Sequence, residues 1–178
     1  GTTVGYDPLR ELILNRHCEA DGLNVGGALT VDRMLLTAGS NQLLHLVAEA
    51  ILDPGDIVVC SSPTYFVFTG ILQNIAARTT GVETDNEGML PWALDARLEQ
   101  LDQQGELHRV KAVYLVSYFD NPRGTTLSLD RRRELLEVCR RWSRHHTIYL
   151  IDDAAYRDLR YEGDDVPSFL ALDPEGEH

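Results

Sequence analysis

VYLVSYFDNPRGTTLSLDRRRELLEVCRRWSRHHTIYLIDDAAY, residues 113–156, holds two short apolar runs with one helix-period segment between them. Val113-Tyr114-Leu115-Val116 is a continuous apolar run of strand length, and Thr147-Ile148-Tyr149-Leu150-Ile151 is a β-branched one. Between them Ser128 stands where a helix cap belongs. Leu135, Leu136, Val138, Cys139 and Trp142 then fall on one helical face. A strand buried on both faces has no need of alternation. Strand, helix, strand in this form therefore predicts parallel strands with helices covering both sides of the sheet.

The same rhythm extends upstream. Leu9, Leu12 and Ile13 begin an amphipathic helix that runs to about Ala20, and Asp21-Gly22 and Gly26-Gly27 punctuate a loop after it. Met34-Leu35-Leu36-Thr37 reads as a short strand running into Gly39. From Ser40 on, Leu43, Leu44, Val47, Ala50 and Ile51 repeat at helical spacing until Asp53-Pro54-Gly55-Asp56 stops them. Ile57-Val58-Val59-Cys60 is a buried strand, Tyr65 to Asn74 a helix, Arg78 to Val82 a strand, and Pro91 to Gln104 a helix with proline in its first turn. The pattern predicts an α/β fold, a three-layer α/β/α doubly wound arrangement on a mostly parallel sheet. Residues 1–178 read as one domain, without internal repeat or linker.

Composition supports a folded core and narrows the partners. The chain has 178 residues, 43% of them hydrophobic, enough to bury an interior. Sixteen Lys and Arg against 28 Asp and Glu give −12, a sign that repels phosphate backbones and anionic lipid surfaces, so nucleic acid and membrane are not expected partners. Cys18, Cys60 and Cys139 are too few and too scattered for a disulfide framework and read as small core hydrophobes. That usage predicts a reducing, cytoplasmic setting, and no apolar run reaches membrane-span length. Gly1 opens a polar stretch unlike a signal peptide. Arg131-Arg132-Arg133 reads as a solvated face beside Glu134 and Glu137, Trp92 and Trp142 as buried rings, and His145-His146 as groups near the negative pole of a helix. His17 and His45 have no partner that spacing can place.

In open parallel sheets ligands bind beyond the carboxyl ends of the strands, and four such places carry residues a core does not need. At Thr37-Ala38-Gly39-Ser40-Asn41-Gln42, backbone N–H groups at a helix start can hold a phosphate, although a glycine turn before a polar cap is also ordinary connector chemistry. In Ser62-Pro63-Thr64-Tyr65 the tyrosine can lie against a planar heteroaromatic ring or simply cover the core. In Asp120-Asn121-Pro122-Arg123-Gly124, Asn121 offers a side-chain N–H to an anionic oxygen. Asp152-Asp153-Ala154-Ala155-Tyr156 sets two carboxylates directly after a strand, where a buried charge needs a cationic partner such as a protonated pyridine nitrogen. Metal ligation by the pair is disfavoured, because adjacent strand residues point to opposite faces and no histidine joins them at ligand spacing.

In this order and at these strand ends, the four places resemble the large domain of fold-type I pyridoxal-phosphate enzymes, specifically the class I/II aminotransferases. Gly5-Tyr6-Asp7-Pro8-Leu9-Arg10 is similar to that family's lead into its first large-domain helix. Leu52-Asp53-Pro54-Gly55-Asp56 with Pro63-Thr64-Tyr65 resembles its central signature, and Asn121-Pro122 with Asp153 three residues before Tyr156 completes the set. The resemblance implies pyridoxal 5'-phosphate as cofactor, its phosphate cradled by Gly39, Ser40 and Asn41 and its ring stacked by Tyr65. Asn121 and Tyr156 would hydrogen-bond the ring's phenolic oxygen. Asp153, rather than its neighbour Asp152, would pair with the pyridinium nitrogen, because it has the three-residue offset to the tyrosine. It further implies amino-acid and 2-oxo-acid substrates and a homodimer.

The sequence departs from that family in several respects. The lysine expected downstream of Tyr156 to form the Schiff base is missing, and the one lysine, Lys111, lies upstream of the strand leading to Asn121. The substrate-carboxylate arginine, the small domain and a tyrosine expected just before Gly1 are missing too. The segment thus reads as a piece of a longer enzyme, inactive in transamination by itself. Three functions fit the same site: an aminotransferase in the intact protein, a lyase or synthase using the same cofactor, or the effector half of an aminotransferase-like transcription regulator. A domain binding another phosphate ligand such as a nucleotide is weakened by the absence of a Gly-x-Gly-x-x-Gly or Walker-type turn.

Overall fold

Alternate residues of β1 (Ile57–Ser62) enter two different apolar clusters, Ile57 and Val59 in one, Val58 and Cys60 in the other. The computed structural model describes residues 3–26 and 29–178, so Gly1 and Gly27 lie outside the described residues. With β1 run β2 (Arg78–Asp85), β3 (Gly88–Met89), β4 (Val110–Val116) and β5 (Tyr149–Asp153), in the sheet order β3-β2-β1-β4-β5. β1 pairs in parallel with β2 and β4, and β4 with β5, whereas β3 is antiparallel to β2.

Helices α1 (Asp7–Asp21), α2 (Ser40–Ile51), α3 (Phe66–Asn74), α4 (Pro91–Gln103), α5 (Leu129–Trp142) and the short α6 (Phe169–Leu172) complete the architecture. Leu94 and Leu98 of α4 and Leu135, Leu136 and Cys139 of α5 pack with Ile57, Val59, Val113 and Leu115 on one face. Leu44 and Ala48 of α2 and Phe68 and Leu72 of α3 pack with Val58, Cys60, Ala112 and Tyr114 on the other. The result is the expected three-layer α/β/α fold with a mostly parallel sheet. β1 sits between β2 and β4, so the winding direction reverses between β1 and β4, and in open parallel sheets ligands bind beyond the carboxyl ends of the strands at such a point.

Several expectations need correction. Met34–Thr37 joins no strand: Leu36 N–H donates to the Val4 carbonyl at 2.9 Å and Arg10 Nε to the Met34 carbonyl at 2.8 Å, so the segment is strapped to the start of the chain. Gly5 allows this, since a Cβ there would come within 2.6 Å of Leu36 Cβ. The hairpin to β3 went unread, although Gly88 at φ 96° supplies its left-handed position. Trp92 is 63% exposed, not buried, because it stands in the first turn of α4 on the side away from Leu94 and Leu98, whereas Trp142 is buried. The arginine run is no solvated face. Arg132 is fully buried and donates to the carbonyls of Leu127, Pro167 and Ser117, while Arg131 holds both carboxylate oxygens of Asp85 at 3.1 Å; Arg133 stays exposed. Cys18, Cys60 and Cys139 are buried free thiols, and burial pushes the last two up to about 12.

Candidate functional site

The parallel pairing sets the carboxyl ends of β1, β4 and β5 along one edge of the sheet, and the start of α2 is joined to the segment after β1 through Asn41 and Tyr65. β5 includes both aspartates instead of ending before them, with Leu115 opposite Asp152 and Val116 opposite Asp153. The pleat then separates the two carboxylates. Asp153 shares the α2–α3 face with Tyr114, whose hydroxyl donates to Asp153 Oδ2 at 2.8 Å, and Ala155 N–H donates to Oδ1 at 3.2 Å. Burial, then the nearby Asp153 charge, pushes the Tyr114 phenol well above its ordinary value, so it remains a donor. Asp152 turns to the other face, where Ser117 Oγ donates to it in a short bond and Phe169 N–H approaches at 3.5 Å. Burial pushes the Asp152 carboxyl up, against the pull of Ser117 and Arg132.

Gly39 precedes α2 at φ 95°, ψ 164°, and no side chain caps the first turn of that helix. Thr37 Oγ1 donates to the Gly39 carbonyl at 3.0 Å and Ala38 N–H to Gln42 Oε1 at 2.6 Å, which fixes the turn while Ser40 and Asn41 stay exposed. Tyr65 immediately precedes α3, and its hydroxyl donates to Asn41 Oδ1 at 3.2 Å. Tyr65 and Tyr156 both pack against the apolar cluster that contains Tyr114. Six expected positions thus share the α2–α3 side: Gly39, Ser40 and Asn41 through the start of α2, Tyr65 through Asn41, Asp153 through Tyr114, and Tyr156 through the apolar cluster.

Asn121 lies in the connection from β4 to α5, its peptide to Pro122 cis. Asp120 N–H donates to the Thr125 carbonyl at 2.8 Å and Leu127 N–H to the Ser117 carbonyl at 3.1 Å, which folds this loop over the end of β4. The Asn121 side chain forms no hydrogen bond with the other candidates among the described residues. Two neighbours were missed in the sequence. Tyr114 reads as a core apolar residue, and only its register, pointing to the same face as Asp153, reveals the contact. Asp120 is 6% exposed, and burial pushes its carboxyl up to about 6, with Arg123 pulling it down.

Lys111 is remote from the carboxyl ends of the strands. It stands at the amino end of β4, donating to the His108 carbonyl at 3.2 Å, and six residues of strand, roughly 20 Å, separate it from Ser117. The Asp53-Pro54-Gly55-Asp56 turn is also at that far end, where Asp56 Oδ2 accepts from Asp53 N–H at 3.0 Å; its role is structural.

The sequence profile of aminotransferase class I and II matches residues 1–177. The chain belongs to the class I and II aminotransferase family. It is 32% identical over 176 residues to the aromatic-amino-acid aminotransferase 1 of Thermococcus litoralis, covering 99% of this chain and 40% of that relative. An HTH-type transcriptional regulator of Bacillus subtilis, YdfD, is 31% identical over 93% of this chain and 30% of its own length. The crystal structure of an archaeal alanine:glyoxylate aminotransferase superposes with a TM-score of 0.89 at 31% identity, over 99% of this chain and 41% of that one. The kynurenine aminotransferase of Pyrococcus horikoshii, crystallised with PMP, gives 0.86 at 34% identity, over 99% and 41%. The chain therefore spans about two fifths of these aminotransferases, and its fold is that of the fold-type I large domain. Among the described residues no helix is long and apolar enough to cross a membrane.

Proposed function

We propose that the protein carrying this segment is a pyridoxal-phosphate-dependent aminotransferase that moves an amino group between an amino acid and a 2-oxo acid, and that residues 1–178 form one large-domain unit supplying most of the cofactor cradle. The observation that carries the reading is Asp153. Its half-buried carboxylate accepts hydrogen bonds from a neutral phenol and a backbone amide, and no cation pairs with it among the described residues. Such a group fits a cationic ligand atom at the crevice. The glycine-preceded, uncapped start of α2 fits a phosphate in the same way.

Pyridoxal phosphate, when bound, supplies an electron sink for the pair released with a substrate's α-proton. Asp153 would hold the proton on the ring nitrogen, with Tyr114 and Ala155 N–H fixing the carboxylate's direction. The first amides of α2 and the side chains of Ser40 and Asn41 would hold the phosphate, and Tyr65, anchored through Asn41, would cover one ring face. Asn121 and Tyr156 would donate to the ring's phenolic oxygen. The lysine that anchors the cofactor is proposed to lie outside residues 1–178, because Lys111 is at the wrong end of β4. A homodimer in the cytoplasm agrees with this reading. The regulator relatives support a second one, in which the same cradle senses the cofactor within a DNA-binding protein; a reader domain in the natural chain and no turnover would favour it. A lyase or synthase using the same cradle would be told apart by its products.

The test compares Asp153→Asn with Asp152→Asn in the natural protein. Asp153→Asn should weaken retention of pyridoxal phosphate or quench turnover by at least about tenfold, the equivalent of one lost charge-assisted bond. Asp152→Asn should leave both within about twofold and act on folding stability instead. Equal effects on cofactor retention would reject the assignment.

A further inference from the structure

The chain leaves Tyr156 through a tight turn and then runs to Ser168 without a regular strand or long helix. One buried guanidinium closes that excursion. Arg157, 7% exposed, donates from Nη2 to Asp165 Oδ2 at 2.8 Å and to Asp21 Oδ1 at 2.6 Å, and from Nε to Asp165 Oδ2 at 3.1 Å. Asp21, at the end of α1, also accepts from Ser168 N–H at 3.0 Å and from the Ser168 hydroxyl in a short bond. Burial pushes the Asp21 carboxyl up, but the bonds from Arg157 and Ser168 outweigh it and hold the group below its ordinary value.

The same guanidinium lies 5.2 Å from the ring centroid of Tyr118, over which Arg132 also lies at 4.1 Å. Tyr118 is 2% exposed, its hydroxyl donates to the Val166 carbonyl at 2.6 Å, and it stands three residues before Asn121. Arg157 directly follows Tyr156. The two candidate donors to the ring oxygen, which come from loops after different strands, are therefore tied to one buried contact between Tyr118 and Arg157.

We propose that Arg157 is a positioning residue: through Asp21, Asp165 and the Tyr118 ring it fixes where the Tyr156 and Asn121 side chains stand relative to each other. The inference rests on the proposed role of those two side chains at the cofactor's phenolic oxygen. A fork held by two carboxylates has one low-energy orientation, whereas a lysine keeps the charge without the fork. Loss of the fork leaves Tyr156 on a turn secured only by local backbone bonds among those of its main chain, Arg157 N–H to the Ala154 carbonyl at 3.0 Å and Leu159 N–H to the Tyr156 carbonyl at 2.9 Å.

The test is the pH midpoint of the bound cofactor's absorbance change in the full-length protein, read beside the melting temperature of the cofactor-free form. A donor to an oxyanion favours the deprotonated state, so Tyr156→Phe should raise the midpoint by about one to two pH units. Arg157→Gln should raise it by at least about half a unit, Arg157→Lys by a smaller amount, and Arg157→Gln added to Tyr156→Phe should shift it little further. Should Arg157→Gln fail to fold, Arg157→Lys and Ser168→Ala carry the test, and each should raise the midpoint. A lower melting temperature with an unmoved midpoint in the folded variants, or shifts that add in full to that of Tyr156→Phe, would overturn the inference while leaving the cofactor reading intact. An unmoved midpoint in Tyr156→Phe itself would instead remove Tyr156 from the proposed site.

Discussion

Asp120 is buried in the loop after β4 with its carboxyl pushed up from 3.8 to about 6, first by burial and in spite of Arg123. The folded value lies above the unfolded one, so between them the folded state binds more protons, and the group's contribution to stability falls as pH rises from about 4 to about 6. Asp120→Asn should remove that fall. Thermal unfolding at pH 4 and pH 7 checks it: the variant should gain on the parent chain at pH 7 relative to pH 4, and parallel curves would contradict the assignment. Nothing in Asp120-Asn121-Pro122 announces this behaviour, since a turn aspartate is ordinarily solvated. The burial comes from the loop folding back over β4, a tertiary effect that spacing does not encode. Asp153 is singled out in the sequence by its three-residue offset to Tyr156; its contact with Tyr114 is not, because Tyr114 looks like one more apolar strand residue.

Among the elements, α5 shows most clearly what local pattern carries and what it omits. Ser128 Oγ accepts from Arg131 N–H at 3.3 Å as the cap position requires, and Leu135, Leu136, Cys139 and Trp142 enter the core. Ser128→Ala should cost about 1 kcal/mol in denaturant unfolding, and no loss would mean that the cap is dispensable. The fully buried Arg132 broke the expectation, because charge in a sequence signals exposure unless its acceptors are known. Here they are three backbone carbonyls from the loop after β4, the end of β4 and the segment before α6. Arg132→Met would take this donor from the Leu127 and Pro167 carbonyls, while Ser117 keeps its bond from Leu127 N–H, and should cost about 3 kcal/mol or more, well beyond the loss from removing the cap. Met34–Thr37 failed for the converse reason: its apolar run is real, but the hydrogen bonds that decide strand membership go to Val4 and Arg10. β1 and β4 were legible because both of their faces are buried, and the two-residue β3 was not because it is too short to carry a period.

For the whole molecule, three of the four places follow the carboxyl ends of β1, β4 and β5, with the topology reversing between β1 and β4, and the fourth is the start of α2, joined to the segment after β1 through Asn41 and Tyr65. The one lysine stands at the opposite end of the sheet. These facts and the coverage of about 40% of the aminotransferase relatives support the central proposal, that this segment supplies the cradle and that the covalent anchor lies in another part of the protein. The most direct measurement is borohydride reduction of the natural protein loaded with pyridoxal phosphate, followed by mass-spectrometric mapping of the labelled peptide. The account predicts a single labelled lysine outside residues 1–178, with Lys111 unmodified. Labelling of Lys111, or a saturated protein in which borohydride fixes no cofactor at all, would contradict it.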